Sequence, residues 1–343
     1  MSGAAPKSRV LVLTPDFPPA FGGIQLLMHR LVANWTRVEA RVVTLDAPGA
    51  RESDRDERPP PARVRCHPVL GRTAVIGALN AGSVLAAVQY LHGREAVIRP
   101  RLTAFGLSRA SAVVAVSEYT RELALAHGAR PERVHRISPG VDVGAEQPSD
   151  RRRGARPTVV TVGRLEQRYK GHDVLLRALA LVRSQVPDVE LVIVGDGPLR
   201  EGYEALSVAL GLAGSVRFAG ALDHAGRNEL LLRSHVFAMP SRLPVDGGGE
   251  GFGIVYLEAG AHGLPVVAGA VGGALDAVVD GETGLLVDPT DHVAVADAIV
   301  DLLRDPVCAE ALGSAARERA LSLAWPAIAR RVEDVLLGVA SSR

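Results

Sequence analysis

The sequence predicts an α/β protein built from two doubly wound domains that face each other across a cleft, the first of them shortened. Three observations lead to this class. Short apolar runs, typical of buried parallel strands, alternate with segments of helical spacing. Glycine- and proline-rich loops follow several of these runs, and a polar, arginine-rich stretch interrupts the pattern near the middle. The length of 343 residues suits two domains of about 150 residues each.

The first domain is predicted over residues 1–145. Its predicted strands are residues 9–13, 41–45, 64–69 and 112–116, and its predicted helices are residues 24–35 and 118–127. Residues 52–61 mix charge with proline and are expected to form a solvated loop. Strands that alternate with helices in this way form parallel sheets with right-handed crossovers.

One segment of this domain, residues 73–91, runs for 19 residues without a charged side chain. That length would just span a hydrocarbon core. The segment contains Asn80, Ser83, Gln89 and two glycines, however, and much of the rest is alanine. We therefore expect a buried or half-buried helix, with a membrane-spanning helix and an interfacial helix as the alternatives.

A polar linker, residues 146–156, precedes the second domain, which is predicted over residues 157–325. Its predicted strands are residues 158–162, 190–194, 216–219, 236–239, 265–268 and 283–287, and its predicted helices are residues 172–186, 199–210, 229–234 and 254–262. Two or three further helices close the chain. The last of them, residues 326–343, is expected to pack back on the first domain.

The composition excludes several classes of protein. Lysine and arginine number 39 and aspartate and glutamate 38, which gives a net charge of +1. General nucleic-acid binding needs a large basic excess, so no nucleic-acid partner is expected. Cys66 and Cys308 are too few for a disulfide framework or a structural zinc site. The first ten residues hold no apolar signal core, and we expect a cytoplasmic protein.

The strongest chemical signal is the glycine-rich loop that runs into a helix at residues 249–258. Backbone N–H groups at the start of that helix lack intrahelical partners and suit an anionic phosphate. Carboxylates, which accept hydrogen bonds, suit the paired hydroxyls of a sugar. The alternative is a plain capping loop with surface glutamates. The candidate binding residues here are Glu250, Gly251, Phe252, Gly253, Ile254, Val255 and Glu258.

Two cations lie in the predicted loop after the strand at residues 158–162. Arg164 and Lys170 stand at the carboxyl end of that strand, where doubly wound sheets bind ligands. An arginine fork and a mobile ammonium both suit a diphosphate, although such a pair in a loop is often only solvated. Gly22 and Gly23 follow the first strand, where glycine permits either a close approach to a ligand or a simple turn.

These motifs together resemble the retaining glycosyltransferases of family 4, which have the GT-B fold of two Rossmann-like domains. The two glutamates at positions 250 and 258 look like the E-x7-E motif of the family, and the VGR at 162–164 with Lys170 looks like its diphosphate clamp. The glycine pair at 272–273 and the segment at 281–287 match as well. Residues 16–25 and 236–259 look most like the mannosyltransferases that extend phosphatidylinositol mannosides with GDP-mannose.

The resemblance implies a role for each site residue. Glu250 would lie beside the donor hexose, and Glu258 would hold the ribose hydroxyls. The cations Arg164 and Lys170 would bind the β-phosphate. The remaining expected site residues are Gly22 and Gly23 near the diphosphate, Leu222 near the base, and His92 near the reacting sugar. Without the resemblance, His92 is an ordinary polar loop residue.

The resemblance also implies the reaction: transfer of a hexose with retention, without a metal and without a cofactor, since the sugar nucleotide is a substrate. GDP-mannose is the expected donor and a glycolipid hydroxyl the expected acceptor, with peripheral contact at the inner face of the membrane. Two alternatives stay open. One is a UDP-sugar transferase of the same family with a soluble or natural-product acceptor, and the other is a nucleotide-sugar-binding protein without activity.

The first domain departs from the family pattern before His92. The family has another strand–helix–strand unit there, whereas residues 73–88 lead almost directly into the histidine loop. We therefore expect a sheet that has lost a strand, or a missing piece of chain near residues 88–89. Because this domain carries acceptor specificity in the family, the shortening bears on the acceptor.

Overall fold

A computed structural model describes residues 7–13, 23–45, 62–66, 88–144, 153–245 and 247–342 of the chain. The chain divides into two compact units. The first unit comprises Met1–Gly140 and Leu323–Arg343, and the second comprises Val141–Ser322. None of the helices in these described ranges is long and apolar enough to cross a bilayer.

The first unit contains parallel strands with short helices between them. Its strands are β1 (Ser8–Leu13), β2 (Val38–Leu45), β3 (Ala62–Cys66), β4 (Val88–Leu91), β5 (Ala112–Ala115) and β6 (Val134–Arg136). Its helices up to this point are α1 (Gly23–Ala33), α2 (Arg94–Ile98), α3 (Pro100–Arg109) and α4 (Glu118–Ala126). Ser117 caps α4 by accepting from the Thr120 N–H, so the local sequence itself starts this helix.

The described strands of the first unit form two sheets, in the orders β1-β2-β3 and β4-β5-β6. This differs from the single doubly wound sheet that the sequence predicts. Strands β1 and β4 each stand at the end of their sheet, and the chain that joins β3 to β4 lies mainly outside the described residues. Around β4 and β5 the core is formed by Leu91, Leu107 and Val113, all essentially buried.

The second unit contains one parallel sheet of six strands with helices around it. Its strands are β7 (Thr158–Val162), β8 (Glu190–Val194), β9 (Val216–Gly220), β10 (Val236–Met239), β11 (Val266–Gly269) and β12 (Gly284–Val287). Its helices are α5 (His172–Gln185), α6 (Arg200–Ala209), α7 (His224–Arg233), α8 (Ile254–Ala261), α9 (Ala274–Ala277), α10 (His292–Arg304) and α11 (Pro306–Ser322).

The strand order in this sheet is β12-β11-β10-β7-β8-β9. Counted within the unit, this is the doubly wound order 3-2-1-4-5-6. Strands β7, β8, β10 and β11 are almost wholly buried, as expected for near-continuous apolar runs covered on both faces. Helices α5 and α10 pack on each other at one side of the sheet, and α8 packs on α11.

The C-terminal helix α12 (Trp325–Ser341) belongs to the first unit, where it packs on α1. Its anchor is Glu333, which is fully buried. One carboxylate oxygen of Glu333 accepts from the backbone N–H groups of Thr36 at 2.7 Å, Arg37 at 2.5 Å and Val38 at 3.2 Å. A helix at the end of the chain thus satisfies three donors at the entry to β2.

Most predicted strands and helices coincide with observed ones, and the clearest error concerns residues 73–91. Residues 73–87 lie outside the described range, but Val88–Leu91 is strand β4, so the helix prediction is wrong for these four residues. A short apolar run suits either a helix or a strand, and here the parallel pairing with β5 decides. The sequence analysis also missed the short elements α2, β6 and α9, and the ten-residue helix α3.

Candidate functional site

The point where the chain reverses direction across the second sheet lies between β7 and β10, which are neighbours. In doubly wound sheets, ligands bind outside the carboxyl ends of the strands at this switch point. The loop after β7 carries Arg164 and Lys170, and the loop after β10 carries Glu250. The fold therefore brings together two motifs that were predicted separately, the cations after β7 and the glutamate after β10.

Three contacts hold these two loops together. The Arg242 N–H donates to the Tyr169 carbonyl at 2.8 Å, and the Arg242 guanidinium donates to the Asp173 carboxylate at 2.9 Å. Gly171 has a φ of +77° and starts α5, and a Cβ at this position would lie 2.1 Å from the Pro240 carbonyl oxygen. Only glycine permits this approach, which places Lys170 beside the loop after β10.

Lys170 and Glu250 form an ion pair between the Lys170 Nζ and the Glu250 Oε2. The two side chains are only 18% and 16% exposed. Burial by itself lowers the pKa of the Lys170 ammonium, but the charge of Glu250 and its hydrogen bond raise it, with Tyr169 adding to them, and the net shift is upward. Lys170 is therefore a cation at neutral pH, held in position by Glu250.

Arg164 lies near this pair but does not join it. Its side chain is 59% exposed and lies 3.4 Å from Glu166. The loop that carries it is anchored by Leu165, which is fully buried and whose N–H donates to the Asp196 carbonyl at 2.9 Å. The Arg164 charge acts to lower the pKa of Lys170, which opposes the effect of Glu250.

His172, the first residue of α5, was not singled out from the sequence. It is 1% exposed, and neither ring nitrogen has a hydrogen-bond partner in the described residues. Burial lowers the pKa of His172 to about 4, and the neighbouring charge of Lys170 adds to this effect. His172 is therefore a neutral, buried imidazole at neutral pH, two residues after Lys170 in the chain.

The loop before α8 is shaped by contacts between glycines. The Gly273 N–H donates to the Glu250 carbonyl at 2.9 Å, and a Cβ on Gly273 would lie 2.1 Å from the Gly251 carbonyl oxygen. Gly253 caps α8 with a φ of +84°, packed against the Tyr256 ring. The glycine pair at 272–273 thus supports the Glu250 loop, and residues 253–255 form the first turn of α8, as the sequence predicts.

Glu258 lies on α8 and contacts α7 of the same unit. The Arg227 guanidinium of α7 lies 3.2 Å from its carboxylate, and the side chains are 20% and 16% exposed. Burial raises the pKa of Glu258, while Arg227 and His224 act to lower it and Asp142 acts to raise it further. Leu222, predicted to lie near the base, is 38% exposed just before α7.

The other predicted site residues belong to the first unit. Gly22 lies outside the described residues, and Gly23 is the first residue of α1. His92 follows β4, where its ring stacks on Tyr90 with centroids 6.0 Å apart and planes 20° apart. Within the described ranges, no three His, Cys, Asp or Glu side chains are grouped as metal ligands.

Two family descriptions match the chain and together cover most of it. Glycosyl transferases group 1 matches residues 144–319, and Glycosyltransferase Family 4 matches residues 64–145. This chain is a family 4 glycosyltransferase. The group 1 match spans the whole of the sheet that carries Lys170, Glu250 and Glu258, so the E-x7-E motif and the clamp of Arg164 and Lys170 lie within it.

Several relatives of this glycosyltransferase are mannosyltransferases by name. A GDP-mannose-dependent alpha-(1-6)-phosphatidylinositol monomannoside mannosyltransferase of Mycolicibacterium smegmatis is 36% identical over 387 residues, covering 97% of this chain and 100% of the relative. A related GDP-mannose-dependent monoacylated alpha-(1-6)-phosphatidylinositol monomannoside mannosyltransferase of Corynebacterium glutamicum is 30% identical, covering 96% and 97%. A D-inositol 3-phosphate glycosyltransferase of Corynebacterium diphtheriae is 38% identical, covering 65% and 55%.

Solved structures show the fold of this glycosyltransferase. Sucrose-phosphate synthase from Thermosynechococcus elongatus has a TM-score of 0.81 at 23% identity, covering 98% of this chain and 100% of that chain. Anabaena HepE in complex with UDP has a TM-score of 0.77 at 22% identity, covering 96% and 100%. The GT-B fold implied by the sequence motifs is confirmed.

The alignment with the M. smegmatis relative also bears on the expected shortening. It extends over 387 positions, whereas this chain has 343 residues. At least 44 aligned positions, the difference between these two lengths, therefore have no residue in this glycosyltransferase. The shortening of the segment before His92 stays a prediction.

Proposed function

We propose that this glycosyltransferase moves mannose from GDP-mannose to a hydroxyl group of a phosphatidylinositol mannoside-type glycolipid, with retention at the anomeric carbon. The observation that carries this proposal is the Lys170–Glu250 pair at the switch point of the second sheet. A buried cation and a carboxylate side by side suit the junction of a diphosphate and a sugar. The full-length similarity to GDP-mannose-dependent mannosyltransferases supports the choice of donor.

In the proposed reaction, the bond between the anomeric carbon and the β-phosphate oxygen breaks, and a bond from that carbon to the acceptor oxygen forms. The proton of the acceptor hydroxyl goes to the leaving diphosphate, and GDP is released. Negative charge grows on the diphosphate as the first bond breaks. Lys170 and Arg164 stabilise that charge, so the chain supplies electrostatic catalysis without a metal. Glu250 orients the hexose, and Glu258 binds the ribose.

A second candidate is a UDP-sugar-dependent transferase that acts on a soluble acceptor. It is favoured by the 38% identity to a D-inositol 3-phosphate glycosyltransferase and by the fold likeness to HepE, which was solved with UDP. The shorter coverage of that relative, 65% of this chain, places it behind the mannosyltransferases, which cover nearly the whole chain. A nucleotide-sugar-binding protein without activity is the remaining alternative.

A donor and acceptor panel tests the proposal. Labelled GDP-mannose, UDP-glucose and UDP-N-acetylglucosamine are offered with phosphatidylinositol mannoside in anionic vesicles or with soluble inositol phosphate. We expect label to move only from GDP-mannose to the lipid, with the α configuration kept, and EDTA to leave the rate unchanged. Transfer from a UDP-sugar to inositol phosphate would establish the second candidate, and donor binding without transfer would establish the third.

Peripheral contact with the membrane forms part of this proposal, because the proposed acceptor is a lipid. The residues predicted for that contact, 73–91, lie mainly outside the described range. Sedimentation of the protein with the vesicles of the same assay measures the contact directly. Transfer to the lipid without any sedimentation would show that the acceptor is reached without a lasting membrane interaction.

A further inference from the structure

Glu258 has one close charged neighbour that no motif indicated. Arg227, four residues into α7, lies 3.2 Å from the Glu258 carboxylate through its Nη2. Both side chains are mostly buried, at 20% and 16% exposure, so the pair is poorly screened by water. The Arg227 Nε is buried and has no hydrogen-bond partner among the described residues. The guanidinium therefore acts on Glu258 through an ion pair at its Nη2, and its buried Nε adds no hydrogen bond within the described ranges.

The chemistry of ribose binding needs Glu258 in its ionised form. A carboxylate presents two acceptor oxygens to the two hydroxyls of a ribose, whereas a protonated carboxyl turns one oxygen into a donor. Burial favours the protonated form and raises the pKa of Glu258. The charged groups that act on it are Arg227 and His224 of α7, which favour ionisation, and Asp142, which opposes it. Arg227 is the only one of these shown within 4 Å of the carboxylate.

We propose that Arg227 is a positioning residue for the nucleotide, which keeps the Glu258 carboxylate ionised and oriented toward the ribose hydroxyls. The inference rests on the proposed function only in taking the ligand to be a ribonucleoside diphosphate. Arg227 acts through Glu258 and not on the diphosphate or the sugar. Its loss should therefore weaken nucleotide binding and leave the transfer step itself unchanged.

Calorimetric titration of the full chain with GDP and UDP tests this role. We expect Arg227→Gln to weaken nucleotide binding by about ten- to hundredfold, because it leaves a mostly buried carboxylate without its counter-charge. Arg227→Lys keeps the charge and should lose less. Arg233→Gln is the matched control, because Arg233 lies on the same helix and its side chain forms an exposed ion pair with Glu229. It should bind like the wild type.

Three readouts separate a positioning role from a merely structural one. Inorganic pyrophosphate, which has no ribose, should bind to Arg227→Gln and to the wild type equally. When Glu258→Gln is already present, adding Arg227→Gln should change the affinity for the nucleotide by less than about twofold, because the two residues act as one unit. With GDP-mannose as donor, Arg227→Gln should raise KM and leave kcat unchanged.

The pH dependence gives a fourth readout. Without Arg227 the pKa of Glu258 rises further, so the loss of GDP affinity on acidification should begin at a higher pH in Arg227→Gln than in the wild type. Equal affinity of the two proteins for the nucleotide would overturn the inference. Binding of UDP but not GDP would overturn the proposed donor, and a loss of UDP affinity of about tenfold or more in Arg227→Gln would still support the role of Arg227. Binding of neither nucleotide would overturn both.

Discussion

Replacing Lys170 by methionine tests the ion pair at the centre of the site. The change keeps the unbranched side chain up to the position of Cε and leaves Glu250, which is 16% exposed, without its counter-charge. Removal of one partner from a buried pair costs about 3–5 kcal/mol of unfolding free energy. Because some water reaches both side chains, we expect a value near the lower limit, about 3 kcal/mol.

The pH dependence of this contribution follows from the raised pKa of Lys170. The group is protonated in both the folded and the unfolded chain at neutral pH, so its stabilising effect is fully present below the ordinary value of 10.5. The effect is lost as the pH rises through the pKa of the folded state. The difference in unfolding free energy between the wild type and Lys170→Met should therefore be constant from about pH 6 to about pH 9. Above this range the difference should shrink.

Urea denaturation of Lys170→Met, Glu250→Gln and the double variant measures the pair. The double variant should be less destabilised than the sum of the single variants by about 1–3 kcal/mol. Lys7→Met is the matched control, since Lys7 is the other lysine of the chain and is exposed. It should change stability by less than about 0.5 kcal/mol.

Enzyme activity completes the test. Loss of a charge-assisted contact to the leaving diphosphate should lower kcat/KM by about ten- to hundredfold, with part of the loss in kcat. Two results would refute the reasoning. Additive effects on stability would show that the two side chains do not interact, and full activity of Lys170→Met would show that the cation has no part in the reaction.

Two further variants test the packing around and beyond the site. Glu333→Ala should lower the unfolding free energy by at least about 3 kcal/mol, because three backbone N–H groups lose a buried charged acceptor. The exposed neighbour Asp334, changed to alanine, is the control and should cost less than about 1 kcal/mol in the same urea titration. His172→Leu should make the unfolding free energy less sensitive to acid. Wild-type His172 has a pKa of about 4 in the folded state and is neutral there, whereas the unfolded chain takes up a proton near pH 6.5. The unfolding free energy of the wild type should therefore fall by about 3 kcal/mol as the pH drops from 6.5 to 4. A variant that loses stability over this range as steeply as the wild type would show that His172 is not the group responsible.

The strands of the second unit could be predicted because their signal is local. Continuous apolar runs are required where a parallel strand is covered on both faces, and β7, β8 and β10 begin and end where the sequence indicates. The start of α7 was placed too late, since its first turn carries no apolar pattern and begins at the Asp223 cap. In the first unit, Val88–Leu91 became a strand only through its pairing with β5.

The same distinction holds for the site. Glu250 and Lys170 were both predicted from the sequence because each lies in a loop with a recognisable glycine pattern at the end of a strand. Arg227 could not be predicted, because it is one of 39 basic residues and lies in an ordinary helix. His172 likewise shows no sequence signal, since only burial distinguishes it from the other histidines.

By itself the sequence determined the class of sheet, the family motifs and the identity of the charged groups, because apolar periodicity and glycine-rich loops are encoded within a few neighbouring residues. Only the tertiary structure decided which charges meet. Lys170 reaches Glu250 across 80 residues of chain, and Glu333 reaches Thr36 across 297. Such pairs depend on strand order and helix packing, because only the folded chain brings groups so far apart in the sequence into contact.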